Sequence, residues 1–269
     1  MERTELTKEI LEKYLNLGMT NREIANELGY GKSNIGYFIH KFGLTEKQEK
    51  YKLDNYKFGM IDTKEKAYIL GFICCDAGIN NKNMVELSVE KSDKEVLDYI
   101  SKYINGRVCV DDTYNKESRR FPRARMVKKI PDVKTFIGGP LKTDRHFPIT
   151  NKALIRYAIL GAFDADGCLT WGRRKDKNRI WHKISFTTSL GIATGIQQVL
   201  IKELGISTIV RPKSNESCFV LEFANRKDIL KFLDYIYPNN EFIVLNRKYL
   251  KAKALRLELE ENGEGAVKQ

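Results

Sequence analysis

This sequence has few of the residues that build covalent or metal-bound frameworks. It holds three histidines, and His40, His146 and His182 have no partner at ligand or triad spacing, so each reads as a structural histidine. Its five cysteines, Cys74, Cys75, Cys109, Cys168 and Cys218, are odd in number, include an adjacent pair and form no CxxC. That pattern makes a poor disulfide framework or zinc site and fits a reducing, cytoplasmic setting. Long apolar runs are absent too. Nothing approaches the roughly 18 apolar residues of a membrane span, so no membrane partner is expected. The first residues, MERTELTKEI, have neither an apolar core nor a small-residue cleavage site, so no secretory signal is expected. With Met1 first and Gln269 last, self-splicing intein ends are not expected.

Positive charge is abundant. Lys and Arg total 47 against 35 acids, a net charge of +12 over 269 residues. Such an excess favours a polyanionic partner. The charged fraction of 30% marks a soluble, globular chain long enough for two or three modest domains.

Residues 1–45 read as three short helices. Leu6, Ile10, Leu11, Tyr14 and Leu15 recur at helical spacing before Gly18. Thr20 and Glu23 form a capping box for a second helix that ends at Gly29. A third runs from about Lys32 to Lys41, with Ile35, Phe38 and Ile39 inward and Gly43 after it. Residues 46–63 read as a linker. From residue 64 one order of elements appears twice, in 64–150 and in 151–258: an apolar helix, strands, a helix, strands, a helix. Met84–Glu90, for example, alternates Val85, Leu87 and Val89 against Glu86, Ser88 and Glu90. Gly106 matches Gly205 as a helix stop, and Asp132 matches Asp228. The second copy gains residues at the basic segment Gly172–Arg179, which has the pattern of an elongated hairpin. Residues 259–269 read as a disordered tail.

The two apolar helices are ILGFICCDAG (Ile69–Gly78) and ILGAFDADG (Ile159–Gly167). Small residues stand four apart in each, Gly71 with Cys75 and Gly161 with Ala165. They share a face and let two backbones approach closely. Each helix ends in an aspartate, Asp76 or Asp166. A carboxylate opposes the helix dipole there, and two packed side by side also repel each other. A divalent cation resolves both conflicts. Mg²⁺, with Mn²⁺ as a substitute, binds through one or two carboxylates plus waters and phosphate oxygens, and activates water for displacement at phosphorus.

These residues resemble the motif of the LAGLIDADG homing endonucleases, closely in the second copy and more loosely in the first, where Cys74 replaces an Asp and the glycine is displaced to Gly78. LKTDRHFP (Leu141–Pro148) resembles that family's Lys-Ser/Thr…Phe-Pro link, and KFLDYIYPN with LNRKY its C-terminal signature. The resemblance covers about residues 64–255. It implies an α+β fold of two pseudo-symmetric αββαββα units packed through their motif helices. It implies a monomeric, metal-dependent endonuclease of the intron-homing type that cuts double-stranded DNA, with Asp76 and Asp166 as metal ligands and one phosphodiester hydrolysed per strand. The family's basic or polar residues around the scissile phosphates map to Glu90 and Lys128 in the first half. Their second-half counterparts, Ser189 and Ala224, are not basic, which leaves Lys183 and Arg226 as weaker candidates. Arg119, Arg120, Arg123, Arg125, Arg173, Arg174, Lys175 and Lys183 lie on or beside strands expected to face DNA, where a two-stranded ribbon fits the major groove.

Thr20–Leu44 resembles a helix-turn-helix of bacterial and phage regulators, with Gly29 in the turn. Lys32, Ser33, Asn34 and Tyr37 would then face the groove. The alternative to an endonuclease is a catalytically inactive DNA-binding regulator, or an RNA maturase, on the same fold.

Overall fold

The computed structural model describes residues 6–17, 19–44, 55–112, 121–148, 151–173, 180–213 and 217–264. The chain forms two compact units, Met1–Asp54 and Asn55–Gln269.

The first unit contains α1 (Lys8–Asn16), α2 (Asn21–Leu28) and α3 (Lys32–Lys41). Leu11, Leu15, Ile24, Ala25, Ile35 and Ile39 form its core. The expected capping box is present at α2. Thr20 Oγ1 accepts from the Glu23 amide at 3.3 Å, and Glu23 Oε2 accepts from the Thr20 amide at 2.7 Å. Gly29 closes α2 at φ 69°, a left-handed conformation that glycine adopts without strain. Gly18, expected to stop α1, lies outside the described residues, and the cap is Leu17.

The second unit begins with α4 (Lys64–Asp76), β1 (Gly78–Ile79), β2 (Met84–Glu90), α5 (Lys94–Ile104), β3 (Arg107–Asp111), β4 (Arg123–Lys129) and α6 (Val133–Ile137). It continues with α7 (Ile155–Asp166), β5 (Gly167–Arg173), β6 (Ile180–Thr188), α8 (Leu190–Val199), β7 (Ile209–Pro212), β8 (Phe219–Phe223), α9 (Arg226–Ile236) and α10 (Asn246–Glu264). Each half supplies a four-stranded antiparallel sheet. The strand orders are β1-β2-β4-β3 and β5-β6-β8-β7.

Each sheet buries one face beneath helices. Val85, Leu87, Ala124 and Met126 meet Val96, Leu97, Ile100 and Ile104 of α5 in the first half. Ile184, Phe186 and Leu221 meet Ile192, Ala193 and Ile196 of α8 in the second. Burying each such aliphatic or aromatic side chain is worth about 1.5–3 kcal/mol. Both halves share one continuous core, because α4 and α7 pack directly on each other. Every residue of α4 from Ala67 to Cys75 is buried, the pattern of a helix enclosed on all sides.

The approach of α4 to α7 depends on two glycines. A Cβ on Gly71 would collide with the Ala158 carbonyl, and one on Gly161 would collide with the Tyr68 carbonyl. The collisions are reciprocal, so the small-residue faces read from the sequence are the contact faces.

Four local expectations need correction. Asn105, at φ 50°, turns the chain out of α5; Gly106 follows it, close under Met126. The strands β1 and β5 directly follow the motif helices, where no strand was expected from the sequence. Residues 55–63 of the expected linker are packed rather than loose: Phe58 is buried, and the Phe58 and Gly59 amides donate to Asp132 at 3.2 and 2.9 Å. Residues 46–54 lie outside the described residues. The tail expected from residue 259 is helical to Glu264, with Leu259 buried in the core.

Candidate active site and nucleic-acid interface

Asp76 and Asp166 are the last residues of α4 and α7. Because those helices abut, their carboxylates come close enough to influence each other. Asp76 is pushed up to about 6, first by lost hydration and then by the Asp166 carboxylate, while Lys142, Lys248 and Arg123 pull it down. It stays exposed at the surface of a cleft. Asp166 is more enclosed and is also raised by burial; the charge and hydrogen bond of Lys142 oppose the shift. Lys142 Nζ lies 2.7 Å from Asp166 Oδ2.

A cleft of about 480 Å³ opens beside Asp76. Its lining includes Ser88, Glu90, Arg123, Asp164, Arg247 and Lys248. Asp76, Glu90 and Arg123, all singled out from the sequence, are therefore brought together. Register explains why. Gly78 pairs with Glu86, so Asp76 lies near Ser88, and Glu90 pairs with Arg123 at the same end of the sheet.

The same register removes Lys128. It pairs with Val85, and its side chain points with Ala124 and Met126 into the buried face. Lys128 is 1% exposed and donates to the Asn105 carbonyl at 2.7 Å, at the C-terminus of α5. It is a helix-capping residue and not part of the ring around Asp76. In the second half Lys183 pairs with Thr170 and binds Glu222 at 3.1 Å. Asp166 directly precedes Gly167, whose partner is Phe186, so the pairing continues to Thr187. Lys183 is four residues from Thr187, roughly 13 Å along the strand.

Two further cations were missed in the sequence. Arg145 is buried and donates to the carbonyls of Cys74 at 3.1 Å, Ile73 at 3.4 Å and Pro140 at 2.7 Å. Lys248 donates to the carbonyls of Phe163, of Asp164 at 2.8 Å and of Gly167 at 2.7 Å. Each motif helix thus ends on a cation that satisfies its last carbonyls and complements its dipole. The available signal was a pair of basic segments, LKTDRHFP and LNRKY, one after each half.

Asp164 was also missed. It is buried, accepts from Tyr68 Oη at 2.8 Å across the helix interface, and is pushed up to about 7 by burial against the pull of Lys248. Cys74, at the corresponding place in α4, instead donates to the His146 carbonyl at 3.3 Å. Arg247, on the cleft wall, makes a bidentate pair with Asp93 at 2.9 and 2.6 Å.

Away from the helices, both sheets present an open face. Arg123 and Arg125 are exposed on the first, and Arg125 Nε lies 2.8 Å from Glu86. Lys183 lies on the second. Arg173 ends β5; Arg119, Arg120, Arg174 and Lys175 lie outside the described residues. In the first unit Lys32, Ser33, Asn34 and Tyr37 are exposed on α3. Among the described residues no helix is long and apolar enough to cross a membrane, and no three His, Cys, Asp or Glu cluster as a metal cage.

Comparison with known proteins agrees with this architecture. Residues 153–237 match the model of the LAGLIDADG-like domain. No curated protein matches the chain. Among solved structures, the fold is similar to the LAGLIDADG meganuclease I-AabMI bound to uncleaved DNA, with a TM-score of 0.52 and 11% identity over 74% of this chain and 91% of that one. It is similar to I-GzeII in complex with its DNA target, with a TM-score of 0.52 and 9% identity over 76% and 92%. I-SmaMI bound to uncleavable DNA gives 0.50 and 12% over 73% and 91%. At these identities the likeness is one of fold: the second unit has the fold of the LAGLIDADG homing endonucleases.

Proposed function

We propose that this protein is a site-specific endonuclease that hydrolyses one phosphodiester in each strand of double-stranded DNA. The observation that carries the reading is the pair Asp76 and Asp166, placed at the ends of two abutting helices where the Asp166 carboxylate raises the cost of ionising Asp76. Two carboxylates suit Mg²⁺ or Mn²⁺, which complete their coordination with water and phosphate oxygens. A cation bound there supplies water activation and charge stabilisation at phosphorus.

The chain's own groups do the rest. The open faces of the two sheets position the duplex, with Arg123, Arg125 and Lys183 toward its phosphates and base edges. Arg123, in the cleft with Asp76, is placed to hold a scissile phosphate. Glu90 opposite it is placed to orient water. Both halves lie in one chain, so a monomer contains two cleavage centres. The first unit acts as a helix-turn-helix that adds affinity through tethering, with Lys32, Ser33, Asn34 and Tyr37 on the DNA side.

The test is cleavage of a randomised duplex library with Mg²⁺ and with EDTA, beside the double variant Asp76→Asn/Asp166→Asn. Metal-dependent double-strand cuts at an enriched sequence, lost in the double variant, are expected. Selective binding with no cutting in Mg²⁺ or Mn²⁺ would mean a DNA reader that has lost catalysis.

A further inference from the structure

The open faces of the two sheets carry different chemistry. Residues alternate between faces along a strand, and paired residues of neighbouring strands share a face. In the first sheet, the face away from Val85, Leu87, Ala124 and Met126 is charged. It carries Glu86 and Glu90 of β2, Arg107 of β3, and Arg123, Arg125 and Lys129 of β4. In the second sheet the corresponding face carries Thr170 of β5, Trp181, Ser185 and Thr187 of β6, Ile209 of β7 and Val220 of β8. Its charges on the described strands are Lys183, Arg211 and Glu222, and Glu222 already engages Lys183 at 3.1 Å.

Two groups on this second face are large, apolar and open. Ile209 is 61% exposed on the edge strand, and Trp181 is 43% exposed. The Trp181 indole lies against Gly172 across the ladder, where an added Cβ would fall 2.9 Å from Nε1. The bare backbone of Gly172 lets the ring lie along the sheet. The two groups stand at different distances from the cleavage centre, since Thr187 is the residue of β6 level with Asp166. Ile209 pairs with Glu222, whose partner Ser185 is about 7 Å along the strand from Thr187, while Trp181 is about 20 Å away. Lys183 and Ser185 stand between them, so they do not form the continuous apolar patch that marks a protein partner. Spaced apolar contacts among hydroxyls match the floor of a major groove, where thymine offers a methyl group beside polar edges. Lys183 and Arg211 supply charge for the flanking phosphates.

We propose that the two halves read half-sites of different composition. The second sheet reads thymine methyl groups, through Ile209 nearer the cut and Trp181 further out. The first sheet reads hydrogen-bonding edges, with Arg125 directed to guanine. This inference rests on the endonuclease reading above for the placement of the duplex, and not on cutting.

The experiment uses the full chain and a duplex selected from the randomised library by binding in Ca²⁺. Thymines are replaced by deoxyuridine one half-site at a time, which removes the methyl group and keeps every hydrogen-bonding atom. Binding is expected to weaken about fourfold per contacted methyl in one half-site and to stay unchanged in the other. In that other half-site, 7-deazaguanine, which lacks the N7 acceptor, is expected to weaken binding about tenfold. Ile209→Ala should abolish the uracil effect at an inner thymine and Trp181→Ala at an outer one, while Arg125→Ala abolishes only the deazaguanine effect. Thermal unfolding accompanies each variant; if Trp181→Ala lowers Tm, the exposed Ile209→Ala decides. Uracil tolerated in both half-sites, equal sensitivity in both, or a uracil effect that survives Ile209→Ala overturns the proposal. A wild-type protein that shows the expected uracil pattern yet cuts neither strand in Mg²⁺ overturns the endonuclease reading and leaves the base readout standing.

Discussion

Gly71 of α4 lies directly over the Ala158 carbonyl of α7, with no room between them for a methyl group. Gly161 holds the same relation to Tyr68, so one crossing point serves both helices. That crossing fixes the separation of the two aspartates one turn further on.

Gly71→Ala and Gly161→Ala should therefore destabilise the protein. In an ordinary helix interior glycine to alanine gains roughly 0.5–1 kcal/mol. Here the added carbon meets backbone, which cannot rotate away, and overpacking of this kind costs about 1–3 kcal/mol or more. Thermal unfolding decides the sign. A rise in Tm for either variant would show that the helices can separate without cost.

Lys248→Met tests the helix-end cation. Its half-buried ammonium binds three carbonyls at the end of α7, and removing it takes one donor from each, although the Phe163 carbonyl keeps the Gly167 amide. Each buried unsatisfied group costs about 1–3 kcal/mol. Lys248 also lines the cleft, so stability and binding must be read separately. A loss of at least about 2 kcal/mol in denaturant unfolding is expected. An unchanged midpoint would mean that water replaces the ammonium freely.

The sequence was most legible where a residue's role is local or periodic. Thirteen largely apolar residues ending in Asp76, and twelve ending in Asp166, give the helices and their polarity directly. The duplicated order of elements gives the two sheets. Roles defined by distant partners were not legible. Lys248 serves carbonyls 81 to 85 residues away, and Lys142 serves a carboxylate 24 residues on. Lys128 misled because buried lysines are rare, although its alternation with Ala124 and Met126 already put it on the inward face. Strand β1 escaped notice because two residues show no alternation.

The Asp76 shift has a definite sign. Its folded-state value, about 6, lies above the ordinary 3.8. Between these values the folded protein keeps a proton that the unfolded chain has released. Stability therefore falls as pH rises from about 4 to 6 and is level above that window. Asp164, raised to about 7, acts in the same direction over a wider range. Asp76→Asn removes the first contribution. Its stability relative to wild type should increase as pH climbs to 6 and then stay constant. Divalent cation should reverse the order by favouring the ionised pair in wild type alone. Unfolding curves at pH 4, 5, 6 and 7, with EDTA and with Mg²⁺, test both statements. A pH-independent difference between the proteins would mean that Asp76 titrates normally.

Arg125 separates DNA contact from folding. It is exposed on the open face of the first sheet and paired with Glu86. An exposed pair of this kind contributes about 0–1 kcal/mol to stability, so Arg125→Ala should leave Tm nearly unchanged. Against a duplex the same change should cost more. A phosphate contact would appear as uniform weakening across sequences, with about one unit lost from the salt slope. A contact to guanine would appear as about 1–3 kcal/mol lost at one base pair, with relaxed preference there. Glu86→Ala frees the guanidinium and should tighten non-specific binding, because the arginine no longer has to leave a carboxylate to meet the polyanion. If both substitutions leave affinity and salt slope untouched, the open face of this sheet is not where the duplex lies.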